Sequence, residues 1–352
     1  MKVLLPIHID RWRSPIASLL REIAIYNEDI NFYSFSGPET NEDHEKAAVF
    51  WSLPNIFKLN PRKFGAISFD IVHTASATTA NLTAIILAKI RTRSRCNHLY
   101  TANSEPTRDD PFYHQYRMSL QIAETICSVS HAVDLAIRQF GYKSDAIIPN
   151  GFDPAFFSPH SAHLDTPVKH DLDRPFFLFC GVIQKRKRPD VFISLAEKMP
   201  HFPFVMVGGY HFRNEAEPFI HRMERVKNII ILGKVTRTEL RDLMAHATAL
   251  IFPSESEGLP LSVIEASGMG LPVLAQPVSA LPEVINEGTN GWLIPVSNLD
   301  DWMIRLLDIT EWSMEQRKVF AENARKTIID RFSWEKIAGQ YGVLYRNMMH
   351  QN

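Results

Sequence analysis

Short apolar runs recur along the chain. Each is followed by a polar loop and then by a stretch with apolar residues three and four apart. Residues 2–9 (KVLLPIHI) form the first run, and residues 15–26 carry Ile16, Leu19, Leu20 and Ile23 at helical spacing. Such runs read as buried strands of a parallel sheet, and the spaced stretches as helices that cover it. The same alternation predicts strands at 31–35, 71–73, 99–101, 125–129 and 146–149. Helices are expected at 79–90, 115–124 and 132–140, the last capped by Ser130. Residues 37–64 read as an irregular insertion with Phe50, Trp51, Phe57 and Phe64, either packed on the domain or shaped for a partner.

Between residues 153 and 174 the pattern breaks, with Pro154, Pro159 and Pro167 among charged residues and histidines. This reads as a domain boundary. A second alternation follows, with strands at 176–180, 204–207, 229–232, 249–252 and 272–275 and helices at 189–198 and 238–245. Helices at 299–309, 315–330 and 334–348 close the chain. Two such series predict two doubly wound α/β domains, 1–160 and 161–332, with 333–352 as a closing helix.

Composition narrows the function. The chain has 352 residues, 45% hydrophobic and 22% charged, with a net charge of −1. That is a soluble globular balance with no electrostatic case for nucleic acid. Cys96, Cys127 and Cys180 are far apart and odd in number, which fits a reducing compartment better than a disulfide framework. No Cys/His cluster suggests a metal. The first apolar run meets Asp10 and Arg11 at once, too soon for a signal-peptide core. A cytoplasmic protein is the expectation, with peripheral contact at the inner face of the membrane the one membrane role left open. Lys89, Arg91, Arg93 and Arg95 are the run that could serve it, with a solvated loop as the commoner reading of such runs.

Chemistry concentrates at residues 249–275, which read strand, polar loop, helix, strand. Open α/β sheets bind ligands where a strand's C-terminal end feeds a helix N-terminus. Here the loop holds Glu257, and Glu265 follows on the helix among Ile264, Ala266, Ser267 and Gly268. A carboxylate in that apolar surround needs a partner. Pro260 suits the first helical position.

In order along the chain, four local patterns resemble the family 4 glycosyltransferases of the GT-B fold. Residues 148–153 (IPNGFD), with Phe157 and Pro159, resemble the family's interdomain junction. The loop 181–189 (GVIQKRKRP) resembles its basic strand-end loop. Glu257 and Glu265, with Gly258, Leu259 and Pro260 between them, match its E-x7-E pair. Residues 281–295, from Leu281-Pro282-Glu283-Val284-Ile285 through Gly288, Asn290 and Gly291 to Pro295, resemble its PEVI…NG segment. Residues 334–345 resemble the family's closing helix, which crosses back to the first domain. The resemblance runs throughout the second domain and is thin in the first.

The resemblance implies two doubly wound Rossmann-like domains facing across a cleft. It implies a retaining, metal-independent transfer of a sugar from a UDP- or GDP-linked donor. The acceptor would be a glycan, glycolipid or small-molecule hydroxyl, as in cell-surface polysaccharide or lipopolysaccharide biosynthesis. The nucleotide sugar is a substrate, and no cofactor is implied. Carried over by motif, Glu265 would take the ribose hydroxyls and Glu257 would lie against the donor sugar. Lys187, with Arg186 as near competitor, would answer the diphosphate, whose developing charge needs fixed cations. Gly181, Gly208, Gly233, Gly258, Leu259 and Pro260 would line the donor. His73, Asn103, Arg11 and Arg13 fall on the acceptor or sugar side, with a core histidine an equal reading of His73 and a solvated loop an equal reading of Arg11 and Arg13. Asp171-Leu172-Asp173 has the form of a metal motif but lies in the linker and reads as a decoy.

Three positions depart from the family pattern. The loop 9–15 has no glycine, Val182 stands where an arginine is usual, and Asn103 stands where a histidine is frequent. A non-catalytic sugar-nucleotide binder is the alternative these departures suggest. A nucleotide-sugar epimerase shares the fold, but the combination of motifs points away from it.

Overall fold

A computed structural model of the chain describes residues 1–8, 15–35, 50–53, 68–75, 79–92, 96–105, 113–163, 165–172, 174–210 and 212–350. The chain divides into two compact units, Met1–Gly151 with Trp334–Asn352, and Phe152–Ser333.

The first unit begins with β1 (Lys2–His8), α1 (Pro15–Ile25), β2 (Asn31–Phe35) and β3 (Phe50–Leu53). It continues through β4 (Ile71–Thr74), α2 (Thr79–Thr92), β5 (Asn97–Ala102) and α3 (Tyr113–Ile122) to β6 (Thr125–Ser128), α4 (His131–Arg138) and β7 (Ala146–Ile147). The strands form one sheet in the order β3-β2-β1-β4-β5-β6-β7. Its described pairings are all parallel. The segment 37–64, expected to be irregular, therefore contains a strand. Aromatic residues favour the pleated ladder, and residues 50–53 pair along β2. The last helix (Trp334–His350) buries Ile337, Tyr341, Tyr345 and Met348 in the core that also holds Leu19, Leu20 and Ile23 of α1. Asn27 fixes it by donating to Ala338 O at 2.9 Å.

The second unit holds α5 (Asp165–Lys169), β8 (Phe177–Cys180), α6 (Pro189–Lys198), β9 (Phe204–Val207) and α7 (Arg213–Met223). Then come β10 (Ile229–Gly233), α8 (Arg237–His246), β11 (Ala249–Phe252), α9 (Leu261–Gly268) and β12 (Val273–Ala275). It ends with α10 (Leu281–Val284), β13 (Gly291–Leu293), α11 (Leu299–Thr310) and α12 (Met314–Phe332). The strand order is β10-β9-β8-β11-β12-β13, again parallel. Helix α7 buries Ala216 and Met223 and packs Phe219 and Ile220 against the same core, with Pro218 inside it.

The boundary falls at Gly151–Phe152, ahead of the proline-rich stretch that marked residue 160. Phe152 and Phe157 are fully buried in the second unit. The Phe152 N–H donates to Phe332 O at 2.9 Å, and its ring lies against Gly268. On α12, Arg325 donates to the carbonyls of Pro154, Phe157 and Gly268, each at 2.6 Å. The stretch 152–157 is thus held to the end of α9.

Candidate functional site

In the second sheet the chain runs outward from β8 to β9 and β10, then returns to the other side of β8 for β11, β12 and β13. The order reverses between β8 and β11, where an open sheet leaves a crevice at the strands' C-terminal ends. Two loops meet there, one after β8 and one after β11. The Glu255 N–H donates to Arg186 O at 2.9 Å, which splices them together.

Lys187 ends a short 3-10 turn, Lys185–Lys187, and its ammonium donates to Glu257 Oε1. It also sits 4.9 Å above the Phe252 ring at the end of β11. Arg186 lies 3.4 Å from the same carboxylate oxygen and donates to Ser256 O. Glu257 is buried and Lys187 nearly so. Burial pulls the Lys187 ammonium below its usual range, and Glu257 opposes that pull. Arg188 follows in the left-handed region, at φ 52°. A side chain there costs on the order of 1 kcal/mol. Its guanidinium offsets this by holding Asp190 at 2.7 Å and Glu255 at 3.1 Å.

Pro260 precedes α9 as its cap residue, one place before the helical position expected for it, with φ −77° and ψ 113°. Glu265 is one turn into α9, with its side chain 14% exposed. Burial pushes its carboxyl up to about 7, and Arg237 pulls the other way from 3.8 Å. Cys180, at the end of β8, is raised to about 12 by burial first and Glu265 second, so its thiol stays protonated.

The glycines shape this edge through the backbone. Gly208 has φ +139°, and a Cβ built on it would lie 1.8 Å from Gly181 O. The Gly181 N–H donates to Val207 O at 2.9 Å, and the Gly208 N–H to Gly233 O at 2.8 Å. Gly233 sits at φ +67°. Leu259 is buried and Gly258 half-buried beside Glu257.

Two buried oxygens at this edge have no partner among the described residues. They are Ser254 Oγ, after β11, and Gln276 Oε1, after the neighbouring β12. Buried polar groups in native proteins are paired, so unpaired ones at a strand-end crevice mark where a polar ligand fits.

The residues expected from the first unit fare differently. His73 is fully buried, with Nδ1 2.7 Å from Tyr345 Oη and Nε2 2.8 Å from Thr101 Oγ1. Burial first, and His98 second, lower its pKa to about 3. His73 is therefore placed as a core histidine, the second of the two readings open for it. Asn103 spends its amide on Ala75 O at 2.8 Å and Thr101 O at 3.0 Å, closing the end of β5. Arg11 and Arg13 lie outside the described residues, as do Arg93 and Arg95. Lys89 pairs with Glu124. Among the described residues no group of His, Cys, Asp or Glu is placed to hold a metal, and no helix is long and apolar enough to cross a membrane.

Ser254, Gln276 and Arg237 were not among the expected site residues. Nothing in the local pattern distinguishes the first two from solvated loop residues. Arg237 is brought to Glu265 by sheet topology, and no motif spacing links them. Arg188 is the fourth of four consecutive basic residues, 185–188, that precede Pro189.

Comparison with known proteins follows the same lines. Residues 164–327 match the family described as glycosyl transferases group 1. An uncharacterised glycosyltransferase of Methanocaldococcus jannaschii is 23% identical over 96% of this chain and 95% of its own. The UDP-Gal:alpha-D-GlcNAc-diphosphoundecaprenol alpha-1,3-galactosyltransferase of Escherichia coli is 24% identical over 85% of this chain and 79% of its own. HepE of Anabaena, solved in complex with UDP and glucose, is similar with a TM-score of 0.77 at 18% identity, over 98% of this chain and 99% of its own. The two doubly wound units and the likeness to this solved structure show the GT-B fold. Within that class, the 164–327 segment belongs to the glycosyl transferases group 1.

Proposed function

We propose that the protein transfers a hexose from a UDP-linked sugar, or failing that a GDP-linked one, to a hydroxyl of a glycan, glycolipid or small molecule. The transfer retains the anomeric configuration, needs no metal, and belongs to the family 4 pattern. The observation that carries this reading is the joining of Lys187, Arg186 and Glu257 at the switch point of the second sheet, on the same edge as buried Glu265. Lys187 and Arg186 answer the diphosphate leaving group, and fixed cations in a partly dry site stabilise its charge without reorganising. Glu265 receives the ribose hydroxyls, the partners its buried carboxylate needs. Glu257 faces the donor sugar, with Gly258 and Leu259 beside it. Ser254 and Gln276 offer further hydrogen bonds to the donor.

UDP leads as nucleotide because HepE was solved with UDP and the Escherichia coli relative is named for UDP-Gal. That relative's diphosphoundecaprenol acceptor also favours a lipid-linked glycan, and with it cell-surface polysaccharide or lipopolysaccharide synthesis at the inner face of the membrane. A panel of UDP- and GDP-hexoses, with nucleoside diphosphate release and anomeric configuration as readouts, tests the proposal. Release of UDP with retention, unaffected by a chelator, supports it. Inversion, or dependence on added metal, refutes the mechanism. Tight binding with no turnover of any donor by any lipid-linked or soluble acceptor leaves a binding protein instead.

A further inference from the structure

Glu265 is asked to accept hydrogen bonds while sitting where burial favours its protonated form, in which one oxygen becomes a donor. Something must keep it charged. The titratable groups that face it among the described residues are Cys180 and Arg237. Cys180 stays neutral and gives no help. Lys187, on the loop beyond Cys180, is engaged by Glu257. That leaves Arg237, whose Nη2 is 3.8 Å from Glu265 Oε1.

Arg237 is held for this task from three sides. It opens α8 directly after Thr236, whose hydroxyl and Glu239 form a reciprocal cap that fixes the start of the helix. Its guanidinium lies over the rings of Phe156 at 4.8 Å and Phe157 at 5.2 Å. Those rings are in turn tied to the helix of Glu265, because Arg325 holds the carbonyls of Phe157 and Gly268 with one nitrogen. The cation and the carboxylate it faces are therefore fixed to the same small frame. A flexible surface arginine would gain little from an ion pair at this distance, but a stacked one loses less side-chain freedom in making it.

We infer that Arg237 is a positioning residue for the donor site, holding the Glu265 carboxylate charged and oriented to receive the ribose hydroxyls. It touches no reacting atom. The inference rests on the reading of Glu265 as the ribose-binding residue.

The sign follows from the carboxylate. Nucleotide binding strengthens as pH rises through the Glu265 titration. Removing the cation disfavours the charged form and moves that rise to higher pH. The test is UDP binding, with GDP in parallel, from about pH 6 to about pH 9 for wild type, Arg237→Gln, Arg237→Lys and Glu265→Gln. Arg237→Gln should bind about fivefold more weakly than wild type near pH 7 and come within about twofold of it near pH 9, a displacement of roughly one pH unit. Arg237→Lys should keep the wild-type midpoint. In the unmodified protein, raising salt from roughly 0.05 to 0.5 M should move the midpoint upward, because the half-exposed Arg237 is screened. This last measurement needs no variant to fold. A parallel loss for Arg237→Gln at every pH, or a wild-type midpoint indifferent to salt, overturns the inference. Glu265→Gln binding as wild type does, or wild type binding neither nucleotide, overturns instead the reading of Glu265 on which it rests.

Discussion

The ammonium of Lys187 donates to the carboxylate of Glu257, so the two residues given the leaving group and the sugar are partners of each other. Arg186 adds a second cation 3.4 Å from the same oxygen. The two cations proposed to answer a diphosphate thereby share one carboxylate of the protein, which offsets one of their charges. On that proposal a nucleoside diphosphate would have to draw them from Glu257, and the competition would weaken its binding.

Glu257→Gln should therefore separate binding from turnover. The amide keeps the shape of the side chain but releases both cations. UDP should bind more tightly, by about 1 kcal/mol or roughly fivefold, while sugar transfer falls sharply. Calorimetric titration with UDP beside a transfer assay checks both halves. Unchanged or weaker UDP binding would mean that Lys187 and Arg186 do not face the phosphates.

Glu265 gives a prediction in which stability and function oppose each other. Unfolded, its carboxyl titrates near 4.5; folded, it titrates near 7. Between those values the native state keeps a proton that the unfolded chain has released. Stability therefore falls as pH rises from 4.5 through 7 and stays reduced above. Glu265→Gln removes this cost. The ligand-free variant should be more stable than wild type near pH 8, by about 1–3 kcal/mol, and close to it near pH 4.5. Denaturant unfolding at the two pH values measures the difference, and equal gains at both would show that ionisation is not its source.

How far the sequence reached depends on the kind of information each feature needs. The strands were legible because buried parallel strands are continuous apolar runs, as residues 177–180 and 249–252 are. The carboxylates at 257 and 265 stood out because a short loop and helix hold them together locally. The pairing of Glu257 with Lys187 joins residues 70 positions apart through adjacent strands, and no local period encodes it. His73 shows the opposite limit. Its place at a strand end suits a crevice equally well as a core, and only the last helix, bringing Tyr345, decides between them.

That histidine carries the third prediction. Burial holds both His73 and His98 near pKa 3, against 6.5 for a free ring. The unfolded chain binds protons that the native unit refuses, so stability is full above pH 6.5 and is lost as pH falls toward 3. At about pH 5 the loss reaches up to about 2 kcal/mol for each histidine. His73→Gln keeps a polar side chain but does not titrate. Between about pH 7.5 and pH 5 its melting temperature should fall roughly half as far as that of wild type. Tyr345→Phe leaves Nδ1 of the ring without its partner and should cost about 1–3 kcal/mol at any pH. A His73→Gln variant as acid-sensitive as wild type would locate the sensitivity elsewhere.

Gly208 marks where this edge of the second sheet depends on bare backbone. Its φ of +139° suits glycine alone, and a methyl group there would meet Gly181 O at 1.8 Å. That carbonyl cannot swing aside freely, because the Gly181 N–H is bonded to Val207 O and the loop after it carries Arg186 and Lys187. Gly208→Ala must either distort β9 or push the basic loop away from Glu257. The strain should cost about 3 kcal/mol or more in the second unit. Gly288→Ala is the matched control, since it also has positive φ but meets nothing within 4 Å. Its cost should stay near the 1 kcal/mol or so of a left-handed alanine. If the two variants unfold at the same denaturant concentration, the close approach of Gly208 to Gly181 is not what sets the loop. If Gly208→Ala alone loses both stability and UDP affinity, the two strand ends are coupled through that one carbonyl.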